Sequence, residues 1–452
     1  MKQNTMDMTE GSAVKLLLIF SIPMLIGNIF QQIYNLADII IVGRLIGKNA
    51  IASIGATNSI SFFFFALCNG IATGGGIVTS QFFGEGNESK VKTCIANTGY
   101  IMIIFPLIIG IVSFFFAGPI LTLLQTPDDS FIDAKKYLET LCLGLLFVSI
   151  YNYASSMLRA LGDSKTPLYC LIFTCVLNIF LDITFIKYFH MGVFGAGIAT
   201  VISQFISAVL VLFLAFRYNE YFKLEKQHLK RNPEIIRQTL KIGFPLSFQF
   251  SLIAISCMGL QFVVNGYGAL ATAAFTTTGK IEQIIHMPYQ TLNAALATFC
   301  GQNYGAKKIK RVISGYRKGM LIMAIFTFIM FPVIQIFGEA ITSWFVKKEE
   351  VDVVTMGAQA LRISSLFYLF LGTIYTVRGI LNGVGDAFFS MLNGIVEVIG
   401  RFTVPFILTA IPAIGVWGIW WSVGVVWALA GITAYWRYLV VKKQIIRQYG
   451  YN

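Results

Sequence analysis

A chain of 452 residues that is 56% hydrophobic and only 12% charged, with a mean hydropathy of +0.73, is not a soluble globular protein, since such proteins carry about a quarter charged residues. The net charge of +13 is spread over short segments between apolar runs, so it marks membrane topology and gives no reason to expect a nucleic-acid partner. Long apolar runs near the roughly 20 residues that cross a bilayer as a helix make this an all-α polytopic membrane protein.

Twelve spans are predicted, at about 15–43, 52–82, 93–117, 137–158, 167–187, 193–216, 237–264, 273–300, 314–338, 355–378, 388–410 and 415–438. The first is preceded by Asp7 and Glu10 and runs on past any secretory h-region, so it is a span rather than a signal peptide. It contains Pro23, which removes a backbone hydrogen bond, and Asp38. In the second, Phe62–Phe65 would line lipid or core, and "GGG" at 74–76 allows close helix packing but lacks the GK[ST] of a phosphate loop. The fifth contains "NIFLDITFI", with Asn178 and Asp182 four residues apart on one helix face, and Thr200 lies eight residues into the sixth. Lys280 and Glu282 fall in the eighth span, two apart, so each is expected to find a partner on another helix. Glu397 and Arg401, spaced i,i+4 in the eleventh, are expected to neutralise each other. Trp417, Trp420, Trp421 and Trp427 cluster in the last span, the first three suiting an interfacial belt.

The cations set the orientation. Of 34 Lys and Arg, 24 lie on the side of the N-terminus, 7 on the other, and Lys280, Arg362 and Arg401 fall within spans. The positive-inside rule then places both termini in the cytoplasm of a prokaryotic cell membrane. Seven cysteines without a CxxC pair and three scattered histidines support neither a disulfide framework nor a metal site. The cysteines read as small packing residues.

Asp38 precedes the outward-side Arg44 by six residues and Asp182 precedes Lys187 by five, which puts both acids roughly 8–9 Å inside those cations at matched depth. An intramembrane carboxylate costs about 3 kcal/mol or more, so it faces a cavity or a partner. Ion pairs with Arg44 and Lys187 and a functional site are equally open at this point.

The chain repeats itself. "SIP" at 21–23 returns as "GFP" at 243–245, "SQFFGEG" at 80–86 as "GQNYGAK" at 301–307, "LGD" ending at Asp163 as "VGD" ending at Asp386, and "GVFG" at 192–195 as "GVWG" at 415–418. Four matches in order at a nearly constant offset indicate an internal duplication. Six spans per copy make the repeats parallel, giving two six-helix lobes related by a pseudo-twofold: 1–217 and 237–452, joined by a cytoplasmic linker at 218–236.

With "YNLADIIIVGRLIG", "MLRALGDSKTP", "LNIFLD", "GVFGAGIATVIS" and "ATFCGQNYGA" added to these motifs, the whole chain resembles the multidrug and toxic compound extrusion (MATE) family, and within it the DinF-like branch. The resemblance implies a secondary antiporter that exports small amphipathic, often cationic, compounds in exchange for H+ or Na+ by alternating access. It also implies that Asp38, Asn178, Asp182 and Thr200 form the cation- or proton-binding cluster of the first lobe, and that the helix bearing Pro23 moves with the protonation state. No cofactor beyond the coupling ion and no resident metal is expected, and the chain is expected to act as a monomer. At the repeat offset the cluster maps onto Leu260, Arg401, Pro405 and Val423, none of which takes up a proton at neutral pH, so coupling is expected in the first lobe alone. The competing function is a flippase for a lipid-linked or amphipathic metabolite, disfavoured because few cations are buried. An intramembrane enzyme lacks a nucleophile–base or metal constellation, with no GxSxG or HExxH motif.

Overall fold

A computed structural model describes residues 5–124, 126–346 and 349–450. Among them the regular structure is helical: α1 Ala13–Leu45, α2 Lys48–Gly84, α3 Glu88–Leu123, α4 Asp128–Ala160, α5 Lys165–Ile183, α6 Gly192–Tyr218, α7 Pro233–Asn265, α8 Gly268–Gly305, α9 Ile309–Ser343, α10 Val351–Ser365, α11 Tyr368–Gly383, α12 Ala387–Thr409 and α13 Gly418–Tyr449. Among the described residues nine helical segments are long and apolar enough to cross a membrane, and α10 with α11, bent by 54°, makes a tenth span. Helices α7 and α8, with 33 and 38 residues, have the length and carry more polar side chains, which completes the twelve spans.

The tenth span is broken where a single helix was expected. Ser364 and Ser365 precede the break, and the last turns tighten, with Leu366 N–H donating to Ile363 O and Phe367 N–H to Ser364 O. The Arg362 carbonyl accepts from Ser365 Oγ at 2.8 Å and from Gln335 Nε2 at 3.0 Å. Serine back-bonding and an inserted side chain together replace the helical ladder there.

The repeated motifs turn out to be the punctuation of the fold. Gly162 and Gly385 both adopt positive φ (84° and 91°) in the turns after α4 and α11, and Gly192 and Gly415 do the same at the starts of the sixth and twelfth spans. The following aspartates have diverged. Asp163 Oδ1 accepts from Lys165 N–H and Thr166 N–H, capping α5, whereas Asp386 Oδ2 accepts from Arg437 Nε at 2.8 Å. Pro23 and Pro245 lie inside α1 and α7.

The chain forms two compact units, one of residues up to Asp7 with Phe20–Phe248, the other of Met8–Ile19 with residues from Gln249 onward. In the first unit the linker packs on α3: Tyr100 Oη donates to Leu229 O, Asn97 Nδ2 to Lys230 O, and Asn232 N–H to Asn97 Oδ1. In the second, Met8 is fully buried, its N–H donating to Gln302 Oε1 and its carbonyl accepting from Asn303 Nδ2 and Arg311 Nη2.

The three consecutive glycines of α2 face three different helices. A Cβ on Gly74 would meet Gly243 N of α7 at 2.5 Å, one on Gly75 would overlap Thr98 of α3, and one on Gly76 would meet Ser156 O of α4 at 3.1 Å. Gly74→Ala must therefore push two backbones apart, and we expect a loss of about 1–3 kcal/mol. The check is thermal unfolding in detergent against Gly55→Ala, whose Cβ meets nothing within 4 Å. The Gly74 variant should melt several degrees lower, and equal melting of the two would contradict this packing.

Six cysteines, Cys68, Cys94, Cys142, Cys170, Cys175 and Cys300, are free and buried, as small packing residues should be; the Cys257 side chain lies outside the described residues. The tryptophan expectation is corrected at one position. Trp420 is 1% exposed and packs between Phe275 and Trp417, so it is core rather than belt.

Candidate functional site

The polar cluster is assembled from four helices of the first unit. Asp38 lies near the C-terminal end of α1, Asn178 and Asp182 lie one turn apart at the end of α5, and Thr200 lies in the third turn of α6. Thr200 is buried, Asp38 borders on it, and Asp182 is fully so. Asn178 is buried on the helix face that carries Asp182. Asp38 and Asp182 are each other's nearest acidic neighbours, and the Tyr34 hydroxyl lies against Thr200 within the field of both carboxyls. Tyr137 of α4, also buried, lies in that same field. Directly after Asp182 the helix widens into a π-helical turn, Thr184–Tyr188, a local rearrangement that recurs at functional sites.

The hydrogen-bond inventory sets this cluster apart from ordinary buried polar groups. Asp38 Oδ1, both carboxyl oxygens of Asp182, and both Oδ1 and Nδ2 of Asn178 are buried without a hydrogen-bond partner. Thr200 Oγ1 donates back to Ala196 O at 3.0 Å, which leaves its lone pairs to the cluster. Buried polar atoms in proteins are nearly always paired. Five exceptions, three of them carboxyl oxygens, belong to Asp38, Asn178 and Asp182.

Of the two readings left open by the sequence, the interfacial ion pairs are absent. Neither Asp38 with Arg44 nor Asp182 with Lys187 forms a salt bridge among the described residues. Lys187 Nζ lies instead over the Tyr188 ring, 5.6 Å from its centroid. Pro23 is not brought to the cluster. It lies 15 residues before Asp38, roughly 22 Å along α1, and the carbonyl it deprives of a partner is that of Ile19, where the contact units divide.

Two members of the cluster were not foreseen. Tyr34 stands one turn before Asp38, and that i,i+4 spacing was the available signal. Tyr137 carries none, because only the packing of α4 against α6 brings it there.

The second unit has no acid at the matching positions. Leu260 and Val423 are buried apolar residues and Pro405 lies inside α12. Arg401 belongs to a different arrangement: Glu397 Oε1 accepts from Arg378 Nη2 at 2.5 Å and Glu397 Oε2 from Arg401 Nη2 at 3.5 Å. Arg401 Nη1 donates to Ser256 Oγ and Arg378 Nε to Asn393 Oδ1. The expected Glu397–Arg401 pair is therefore present but is half of an Arg–Glu–Arg triad. The predicted tenth span ends at Arg378, yet α11 continues to Gly383 and holds that residue 4% exposed. Lys280 departs from expectation: it is exposed and forms no ion pair among the described residues. Glu282 meets it, lying against Ser364 of α10 within the field of Arg401 of α12.

A twelve-span helical chain in two units, with two acids buried side by side within one of them, is a polytopic membrane protein. The sequence model of the MatE family matches it twice, over residues 23–184 and 245–411, and the chain belongs to that family, the MATE transporters. Over 98% of its length it is 27% identical to the "Probable multidrug resistance protein YoeA" of Bacillus subtilis, covering 97% of that protein. It is 30% identical to the "Probable multidrug resistance protein YpnP" of the same organism over 84% of both chains. Its fold matches that of a MOP superfamily transporter from Pyrococcus furiosus with a TM-score of 0.92, covering 98% of this chain and 99% of that one at 21% identity.

Proposed function

We propose that this protein is a secondary antiporter that exports amphipathic cationic compounds from the cytoplasm in exchange for H+ or Na+ bound at Asp38 and Asp182. The observation that carries this reading is the placement of the Asp38 and Asp182 carboxyls within hydrogen-bonding reach of each other, one helical turn from Asn178, where five buried polar atoms find no other hydrogen-bond partner. The multidrug resistance names of the relatives support the substrate class.

The physics of the site suits exchange. Two carboxylates side by side in a low-dielectric site cannot both stay charged without a cation between them. A proton shared by the pair, or a sodium ion held by both carboxyls with the Asn178 and Thr200 oxygens, removes that cost. A substrate cation arriving nearby removes it too, so binding of one favours release of the other. The helix carrying Asp38 is the one interrupted at Pro23, and weakening of its ladder at the Ile19 carbonyl lets the loaded and unloaded states differ in the bend of α1. Alternating access then carries the site from one side of the membrane to the other. The second unit, with Leu260, Pro405 and Val423 at the corresponding positions, takes no part in binding the ion. The cation distribution orients the N-terminus, the C-terminus and the 218–236 linker toward the cytoplasm.

Stoichiometry decides which force drives export. One proton exchanged for one monovalent cation moves no net charge and is driven by the pH difference alone, about tenfold accumulation per pH unit. A second proton would draw on the membrane potential as well, at roughly 2.3 kcal/mol per charge for 100 mV.

Reconstituted protein loaded with ethidium, a planar organic cation, provides the test. Export should follow an imposed proton or sodium gradient, each applied separately. Equal export rates with and without either gradient would overturn antiport and leave a passive or flippase-type activity.

A further inference from the structure

The start of α7 carries a groove that the transport cycle does not use. It has a volume of about 640 Å³ and lies entirely within the first unit, lined by Arg231, Arg237 and Lys241 together with Ile236, Leu240 and Phe244, among others. The spacing is helical: positions 237, 241 and 244 and positions 236, 240 and 244 follow i,i+3 and i,i+4 steps, so one stripe of α7 faces outward with cations and apolar side chains interleaved. Arg231, Arg237 and Lys241 are exposed, and no acidic side chain lines the groove. None of the three forms a salt bridge among the described residues. The nearby Glu234 carboxylate accepts from Gln238 instead.

The polarity of the groove runs along the helix. Arg231 and Arg237 stand at its outer end, and Phe244, 41% exposed and stacked edge-on against Phe105 of α3, stands seven residues further in. That is roughly 10 Å along the axis, comparable to the depth from the headgroup layer to the first acyl carbons of a bilayer leaflet. A free phosphate would use only the cationic end, and an apolar peptide only the other.

We infer that this groove is a binding site for one anionic phospholipid, with its phosphate held by Arg231, Arg237 and Lys241 and an acyl chain laid along Ile236, Leu240 and Phe244. Three cations without counter-ions make the site selective for a net negative headgroup over a zwitterionic one. Placement in the inner leaflet rests on the orientation proposed above, while binding itself does not, so the two fail separately.

The experiment titrates the full chain, in a non-ionic detergent, with dioleoylphosphatidylglycerol and separately with dioleoylphosphatidylcholine, and counts retained lipids by native mass spectrometry. One phosphatidylglycerol should be held in preference to phosphatidylcholine. Each cation changed to Gln should weaken it about fivefold, and the triple variant Arg231→Gln/Arg237→Gln/Lys241→Gln on the order of a hundredfold. Arg231→Lys/Arg237→Lys, which keeps the charge, should retain the preference, and Phe244→Asn should weaken both lipids. Three outcomes would overturn the assignment: equal retention of the two lipids by the unmodified protein, unchanged phosphatidylglycerol retention after Arg237→Gln or the triple change, or displacement of the lipid by inorganic phosphate at equal concentration with no effect of Phe244→Asn. The last of these would identify a site for soluble anions.

Discussion

Asp38→Asn and Asp182→Asn should each give a folded protein whose substrate accumulation no longer responds to an ion gradient. The amide keeps the volume of the carboxyl and removes its charge, so the cluster loses the ability to take up a proton or to balance sodium. For one-to-one exchange, accumulation under a gradient of one pH unit should fall from about tenfold to none. Stability should move the other way. Both carboxyl oxygens of Asp182 are buried with only the Asp38 carboxyl beside them, and such an arrangement is a functional cost that a neutral isostere relieves. Melting temperatures equal to or above that of the unmodified protein, together with lost coupling, are the expected combination. Gradient-driven accumulation at the original level in both variants would remove the cluster from the mechanism.

Arg378→Met should produce the largest loss of stability. The guanidinium is buried between Glu397 and Asn393, with bonds of 2.5 and 2.9 Å, and its removal leaves Glu397 with only the longer contact to Arg401 at 3.5 Å. Breaking a buried ion pair from one side costs about 3–5 kcal/mol, enough to lower the melting temperature by roughly 10 °C or more. Arg378→Met/Glu397→Leu should recover part of the loss, because Arg401 keeps its bond to Ser256 Oγ at 2.8 Å and no buried carboxylate is left under-paired. Thermal unfolding of the two variants side by side is the check. A single variant as stable as the unmodified protein would mean that the triad does not hold the second unit together. In whatever fraction folds, ion dependence of export should persist, since the acids proposed to couple, Asp38 and Asp182, are elsewhere.

The sequence showed the membrane class, the twelve spans and the duplication because each rests on chemistry that is local in the chain. An aspartate inside "NIFLDITFI" is conspicuous wherever the chain goes, and a turn glycine must recur wherever a turn recurs, as Gly162 and Gly385 do. Contacts made through tertiary packing were harder to read. Tyr137 joins Asp38 and Asp182 only because α4 packs on α6. Arg378 looked like a cation at the membrane edge because hydropathy falls there, although the helix continues for another turn into a protein interior that supplies Glu397. The break between α10 and α11 has no proline or glycine to announce it, and depends on Gln335 arriving from α9. Trp420 has the composition of a belt residue and the burial of a core one, because α13 turns it inward.

The central claim, that a single ion site in the first unit trades places with substrate, is tested most directly by the ions released when substrate binds. Detergent-solubilised protein in weakly buffered, sodium-loaded solution would be mixed with ethidium while a pH dye and a sodium electrode report together. The protein should release H+ or Na+ in proportion to ethidium bound, Asp182→Asn should bind ethidium without release, and Glu397→Gln/Arg378→Gln should release as the unmodified protein does. Undiminished release from Asp182→Asn, or its loss only in the second-unit variant, would contradict the account.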